Sequence, residues 1–408
     1  MKRLKGPAKP TTLRGIGRAI RCLNCGSRRF AVYRVVRNMD PNTEKLIDRI
    51  AVALCRDCGL IYQNPRIPEK QMDALYQRLE DKITGAFTDT VTEQENLSRL
   101  EALKKIKPAP ARILEIGCSD GTFMNLARLA GYEVVGIDPS QPNCDKAMRE
   151  YPELDVRCLF LDGFKSGETF DAICHFFVFE HVFHPDEFLS QIRKLLRPGG
   201  MMYFEIPNVE SFARLPFANN LFTYQHTAHY SPSTVRAMLA RYRYRTIAVD
   251  GRLGRSPKSY GMRVAATPAA KADAGQPRLY AKSRRLLDTY FTRRKKIVRR
   301  IDRRVRGWLK ALGDRPGPVV IFGAGENGRI LRSTSLMQAG RELYFCDNNA
   351  AIEGSEIEGL RVLAPAQAAA RKPALVIAAS IDYQDDMARQ MRSLGVPAGR
   401  LVKLYEGF

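Results

Sequence analysis

At 408 residues, with 45% hydrophobic and 27% charged side chains, the chain exceeds the roughly 100 to 200 residues of one domain and can bury a sizeable core. It has no uninterrupted apolar run of about 18 residues, which excludes a helical membrane span, and its basic start leads into no leader-like apolar stretch. Nine cysteines, an odd count, argue against a disulfide framework and for a reducing, cytoplasmic setting, while a net charge of +23 attracts anions of any kind.

Residues 1–21 carry seven Lys or Arg and no acid, and read as a disordered basic tail. Next come Cys22-Leu-Asn-Cys25-Gly and Cys55-Arg-Asp-Cys58-Gly, two C-x-x-C-G knuckles separated by 29 residues. Zinc takes four thiolates in a tetrahedron, and the Gly after each pair lets the backbone turn both sulfurs towards one ion. Four protein ligands leave no open position, so the spacing predicts a structural zinc holding a small domain, 22–75, that lacks a core of its own. A redox C-x-x-C would not account for the matched second pair. Cys118, Cys144, Cys158, Cys174 and Cys346 have no local partner and read as core or site-lining residues. A connector, 76–106, follows.

Ile113-Leu-Glu115-Ile-Gly117-Cys118-Ser119-Asp-Gly121 is a short apolar run ending in a Gly-rich turn, followed by an amphipathic segment with Phe123, Leu126, Ala127 and Ala130. Backbone can approach a ligand closely at Gly117 and Gly121. A second apolar run closes on Asp138-Pro139, 17 positions after Gly121, near the offset at which a carboxylate accepts hydrogen bonds from ribose hydroxyls. The turn reads E-x-G-x-x-x-G rather than the dinucleotide fingerprint, which points to S-adenosylmethionine, a ligand without phosphate.

The motifs that follow arrive in the order and spacing of the class I methyltransferases, which the chain resembles here. Asp162, after the strand-like Val156-Arg-Cys-Leu-Phe-Leu, stands where that family touches adenine. Phe170-Asp-Ala-Ile-Cys-His-Phe176-Phe-Val-Phe-Glu180-His181 resembles the strand and turn at which cofactor meets substrate. A helix over 186–196, a Pro198-Gly-Gly stop and a strand Met201–Ile206 match the next step. The alternation implies a doubly wound parallel sheet in an α/β domain, 107–265. The cofactor contacts implied are Glu115, Gly117, Cys118, Ser119, Gly121, Asp138, Pro139, Asp162 and Phe176.

Knuckles, methyltransferase core and a third α/β domain in this order resemble the zinc-containing sugar C-methyltransferases of deoxysugar biosynthesis. That resemblance implies a nucleotide-linked keto-sugar substrate and a base that forms an enolate for attack on the sulfonium methyl. It marks His226, in Tyr224-Gln225-His226-Thr-Ala-His229, as that base and Tyr76 as a residue closing over the substrate, while the clustering of histidines adds His181 and His229 as candidates. Gln225 departs from the family, which has a glutamate there; an amide cannot stabilise an imidazolium. All five histidines, His175, His181, His184, His226 and His229, fall in the methyltransferase segment.

The segment 266–313 is a basic linker whose Tyr290, Ile297, Ile301, Val305, Trp308 and Leu312 keep helical spacing, so one stripe packs while the charges face outward. Then Gly323-Ala-Gly325-Glu-Asn327-Gly328, after a strand-like run, and Asp347, 22 positions beyond Gly325, predict a Rossmann-like domain over 314–408. It would bind NAD or, as the resemblance implies, the diphosphate of a nucleotide sugar through Gly323, Gly325, Asn327, Gly328 and Asp347. The sequence reading is therefore a methyltransferase of a small molecule, by C-methylation or alternatively O-methylation of a sugar or other metabolite. RNA methylation or nucleic-acid binding through the basic surface is a further alternative, not favoured because no RNA-binding motif accompanies the charge.

Overall fold

The computed structural model describes residues 17–37, 49–70, 72, 93–165, 167–215, 221–251, 260–271, 278–381 and 383–407. Tyr76, most of the basic tail and most of the connector lie outside them. The chain divides into two compact units, one ending with Leu286 and the other comprising Ala213–Thr223 and Leu287 onward, together with a segment outside the described residues. No helix among the described residues is long and apolar enough to cross a membrane.

In the first unit, β1 (Phe30–Arg37), β2 (Arg49–Cys55) and β3 (Ile61–Gln63) form an antiparallel sheet whose fourth strand is β9 (Ala228–His229). β9 pairs Ile61 with His229 and Tyr62 with Ala228, so the segment after the second knuckle is stitched to the segment carrying the later histidines. The buried cysteines of the knuckles share one apolar cluster with Ile116 and Phe204 of the larger sheet and with Tyr230, just after β9. The small sheet thus has no separate core.

The larger sheet has seven strands in the order β10-β11-β8-β7-β4-β5-β6. These are β4 (Arg112–Ile116), β5 (Glu133–Asp138), β6 (Asp155–Cys158), β7 (Phe170–Phe176), β8 (Leu196–Pro207), β10 (Tyr244–Asp250) and β11 (Gly261–Pro268). β4 to β8 are parallel, and the near-continuous apolar runs of β4 and β7 follow from burial on both faces. β11 runs antiparallel to β8 and to β10, so the sheet is mixed rather than wholly parallel. The helix Pro185–Leu195 carries Asp186 and Glu187 in its first turn, Arg193 and Lys194 in its last, and buries Phe188, Leu189, Ile192 and Leu195 on one stripe. It ends before the Pro-Gly-Gly, and the strand begins at Leu196 rather than Met201. Leu196 pairs with Phe170 and Met201 with Ala172, so the intervening Arg197–Gly200 bulges; Gly199 supplies the φ of 76° this needs.

The second unit is a six-stranded sheet, β14-β15-β13-β12-β16-β17, parallel except for β14. Its strands are β12 (Val319–Phe322), β13 (Leu343–Cys346), β14 (Glu356–Ile357), β15 (Leu360–Leu363), β16 (Leu375–Ala378) and β17 (Leu401–Lys403). The basic segment is a single helix, Tyr280–Leu312. Ile297, Ile301, Val305 and Leu312 pack with Val319, Ile321 and Phe345 in this unit's core, with Trp308 against them, while Lys296, Arg299, Arg303 and Lys310 face solvent.

Candidate active site

The strand order reverses at β4, with β5 on one side and β7 on the other, which is where doubly wound sheets open a crevice for ligands. The turn after β4 is tightly built. Gly117 has φ 73°, Gly121 has φ 76°, and Ser119, with φ 49°, also lies in the left-handed region. A Cβ at Gly117 would stand 2.6 Å from Val178 Cγ2, so the loops after β4 and β7 close on each other only because this residue has no side chain.

Asp138 latches that turn. Its Oδ2 accepts the Ser119 amide at 2.9 Å and its Oδ1 accepts the Ser140 amide at 2.9 Å. Burial raises its pKa, and the two amides oppose that rise. The Asn143 side chain hydrogen-bonds the same carboxylate and also opposes the rise. Glu115 is buried, its Oε2 has no hydrogen-bond partner among the described residues, and burial raises its pKa well above the carboxylate range, against the pull of Arg99. Arg99, on the helix Glu93–Ile106, donates to Glu205 Oε2 at 2.9 Å and lies 4.6 Å over the Phe176 ring; Arg263 reaches the same oxygen at 3.3 Å. The sequence reading did not single out this buried ion cluster.

The other expected contacts divide. Phe176 lies half-buried against Phe123, with ring centroids 4.7 Å apart. Pro139 and Asp162 are exposed on the loops after β5 and β6, and beside Asp162 stands Phe160, 62% exposed. Cys118 is buried with Phe123, Met124 and Ala127 between helix and sheet, so only its backbone belongs to the turn.

Three of the five histidines come together. His181 and His226 have ring centroids 4.9 Å apart, His226 and His229 5.9 Å. Glu180 is 2% exposed, its Oε1 is 3.9 Å from His181 Nε2, and its Oε2 has no hydrogen-bond partner among the described residues. Burial pushes the Glu180 carboxyl up to about 8 and the His181 and His229 imidazoles down to about 4 and about 3. The loops are braced by backbone: the Thr227 amide donates to the Glu180 carbonyl at 2.8 Å, its hydroxyl to the Val182 carbonyl at 2.8 Å, and Gln63 Nε2 to the Tyr224 carbonyl at 2.9 Å. Gln225 Nε2 donates to the Tyr224 hydroxyl at 3.0 Å. Where the resemblance expects a glutamate at 225, a carboxylate arrives instead from the loop after β7. His175 lies elsewhere, in the core stacked on Phe204, and His184 is exposed and pairs with Glu69 at 2.9 Å.

The four knuckle sulfurs lie within 4.8 Å of one another, with Cys22 and Cys58 at 3.5 Å and Cys25 and Cys55 at 3.4 Å. A zinc tetrahedron with Zn–S of about 2.3 Å has edges of about 3.8 Å, so the donor set fits that ion. Mutual hydrogen bonding in the cluster lowers the Cys25 thiol to about 7 and depresses Cys55 further.

In the second unit, Asp347 repeats the latch, its Oδ2 accepting the Ala324 amide at 2.8 Å and its Oδ1 the Asn349 amide at 3.0 Å. A Cβ at Gly328 would stand 1.9 Å from the Gly323 carbonyl oxygen, so that glycine serves the packing of turn on helix. The helix it opens is short, Glu326–Arg329, and Asn327 is engaged by the Tyr405 hydroxyl at 2.8 Å. Gly325 is exposed at the helix start.

Comparison with known proteins bears on the first unit. A family model described as a methyltransferase domain matches residues 90–249. A ubiquinone biosynthesis O-methyltransferase of Rhizobium rhizogenes is 36% identical over 97 residues, 22% of this chain and 39% of that protein. The same-named protein of Rhizobium johnstonii is 34% identical over 115 residues, 27% of this chain and 46% of that protein. The chain spans less than half the length of these relatives. A Burkholderia thailandensis 1,6-didemethyltoxoflavin-N1-methyltransferase structure is 15% identical, covering 54% of this chain and 95% of that one, with a TM-score of 0.42. The Gly117 turn, the Asp138 latch and the Glu180–His226 cluster all lie within the residues that the family model matches.

Proposed function

We propose that this chain is an S-adenosylmethionine-dependent methyltransferase of a small molecule. What carries the reading is the Gly117–Gly121 turn latched by Asp138 at the switch point of a methyltransferase domain. The cofactor would lie along that turn, with ribose hydroxyls on Asp138, adenine beside Pro139 and Asp162, and its methyl group towards Phe176 and the loop to His181. Glu180, His181 and His226 are the groups placed to deprotonate an acceptor there, with Tyr224, Gln225 and His229 behind them. Class I methyl transfer forms the new bond as the sulfonium S–CH3 bond breaks, so an acceptor stripped of its proton beside the methyl is the chemistry such a cluster serves. A zinc ion at Cys22, Cys25, Cys55 and Cys58 would be structural, because four thiolates leave no position for substrate.

The relatives' names support an oxygen acceptor. A carbon acceptor, the ring carbon of a nucleotide-linked keto-sugar, is favoured by the four-cysteine cluster and by the Rossmann-like second unit, where Gly323, Gly325, Asn327, Gly328 and Asp347 would face a diphosphate. Calorimetric titration with S-adenosylmethionine tests the common part; no heat of binding at millimolar cofactor refutes it. Incubating candidate keto-sugars in deuterated water separates the two acceptors: exchange alpha to the ketone supports carbon, and methylation without exchange supports oxygen.

A further inference from the structure

The first unit contains a second set of metal-ligand side chains, apart from the cysteines. One ligating atom from each of Glu180, His181 and His226 lies within 4.8 Å of the others. The carboxyl is nearly inaccessible, and a buried polar atom without a partner is costly, so Glu180 Oε2, which has none among the described residues, calls for something that compensates it. The two imidazole rings are neighbours, their centroids 4.9 Å apart and their planes at 75°. Thr227 holds the two loops in register through its amide and its hydroxyl, so the three side chains project from braced segments.

Two imidazoles and one carboxylate form a borderline donor set that suits Zn2+, Co2+ or Fe2+ rather than Ca2+ or Mg2+, which prefer oxygen alone. Three protein ligands also leave a coordination position open, in contrast to the closed cysteine set. We propose that Glu180, His181 and His226 bind a borderline divalent cation whose open position takes the oxygen of the methyl acceptor. Ligand atoms about 2.1 Å from a tetrahedral ion stand roughly 3.4 Å apart, so closing the widest pair needs side-chain rotation of about an ångström or a little more. The cation binding stands on the three side chains alone. Its role at the acceptor oxygen, hydroxyl or enolate, rests on the methyltransferase reading and makes His226 a ligand through which the acceptor is acidified.

The test is metal stoichiometry on the full chain equilibrated with Zn2+ and measured by mass spectrometry of the metal. Wild type is expected to hold two ions per chain; Glu180→Gln and His226→Gln one each, and the double variant Cys22→Ser/Cys58→Ser one, at the other site. A complementary readout needs no variant: Co2+ added to protein carrying a single zinc per chain, at the cysteines, should give weak visible bands without the intense thiolate-to-cobalt absorption of a cysteine site. One ion per chain in wild type, unchanged by Glu180→Gln, overturns the site. S-adenosylmethionine binding measured in parallel keeps the questions apart: cofactor binding with a single metal refutes the site alone, and two metals without cofactor binding refute the methyltransferase reading alone.

Discussion

His175 offers a test of the core beside the candidate site. Its ring is fully buried, lies 4.6 Å from Phe204 at 17°, meets Phe188 edge-on, and has no hydrogen-bond partner at either nitrogen among the described residues. Burial pushes its pKa from 6.5 down to about 3. Between those values the unfolded chain binds a proton here that the folded chain refuses, so stability contributed by this site is intact above pH 6.5 and falls as pH drops towards 3, by about 1.4 kcal/mol per pH unit. Going from pH 7.5 to 5.0 therefore costs about 2 kcal/mol. His175→Phe keeps a flat ring on Phe204 and removes the titration, so the variant should lose about 2 kcal/mol less over that interval. Amide exchange of peptides spanning Phe170–Phe176, corrected for intrinsic rates, gives the free energy at each pH. Trp308, the only tryptophan, belongs to the second unit, so its fluorescence transition in urea should respond to pH identically in both proteins. Equal losses in the β7 peptides of wild type and variant would refute the reasoning.

Three other expectations follow from the site. Asp138→Ala removes the acceptor for Ser119 and Ser140 and should weaken S-adenosylmethionine by about 10- to 100-fold in a calorimetric titration, as expected for about 1.5 to 3 kcal/mol of charged hydrogen bonding; unchanged affinity would place the ribose elsewhere. Cys55→Ser should abolish zinc at the knuckles and lower the melting temperature of the first unit, and a chelator should then lower the variant's melting temperature by less than it lowers that of the wild type. Glu205→Ala leaves the Arg99 and Arg263 guanidiniums without their shared carboxylate, and should cost about 3 to 5 kcal/mol in denaturant unfolding, more than the removal of either arginine.

What could be read from the sequence was what spacing enforces. The C-x-x-C-G knuckles and the glycines at 117 and 121 are local solutions to local demands, two sulfurs for one ion and a backbone in the left-handed region, so their residues announce them. Glu180 was visible only as the neighbour of His181. Its meeting with His226 depends on β9 pairing with β3 and on Thr227 bonding across to the β7 loop, neither of which leaves a periodic trace. The antiparallel β10 and β11 are also silent, since an edge hairpin and a parallel strand carry similar apolar runs. His175 shows the opposite hazard, a polar residue in a histidine-rich stretch that strand alternation turns into the core.

The same latch closes the glycine turn in both units, Asp138 on Ser119 and Ser140, Asp347 on Ala324 and Asn349. In each, both carboxylate oxygens are hydrogen-bonded to the protein's own amides, so the turn is already shaped before any nucleotide arrives and a ligand need not spend binding energy ordering it. The acid at the end of the second strand is thus first a fastener for the backbone. A chain that has lost its nucleotide would still keep the fastener, since the turn it holds is part of the fold.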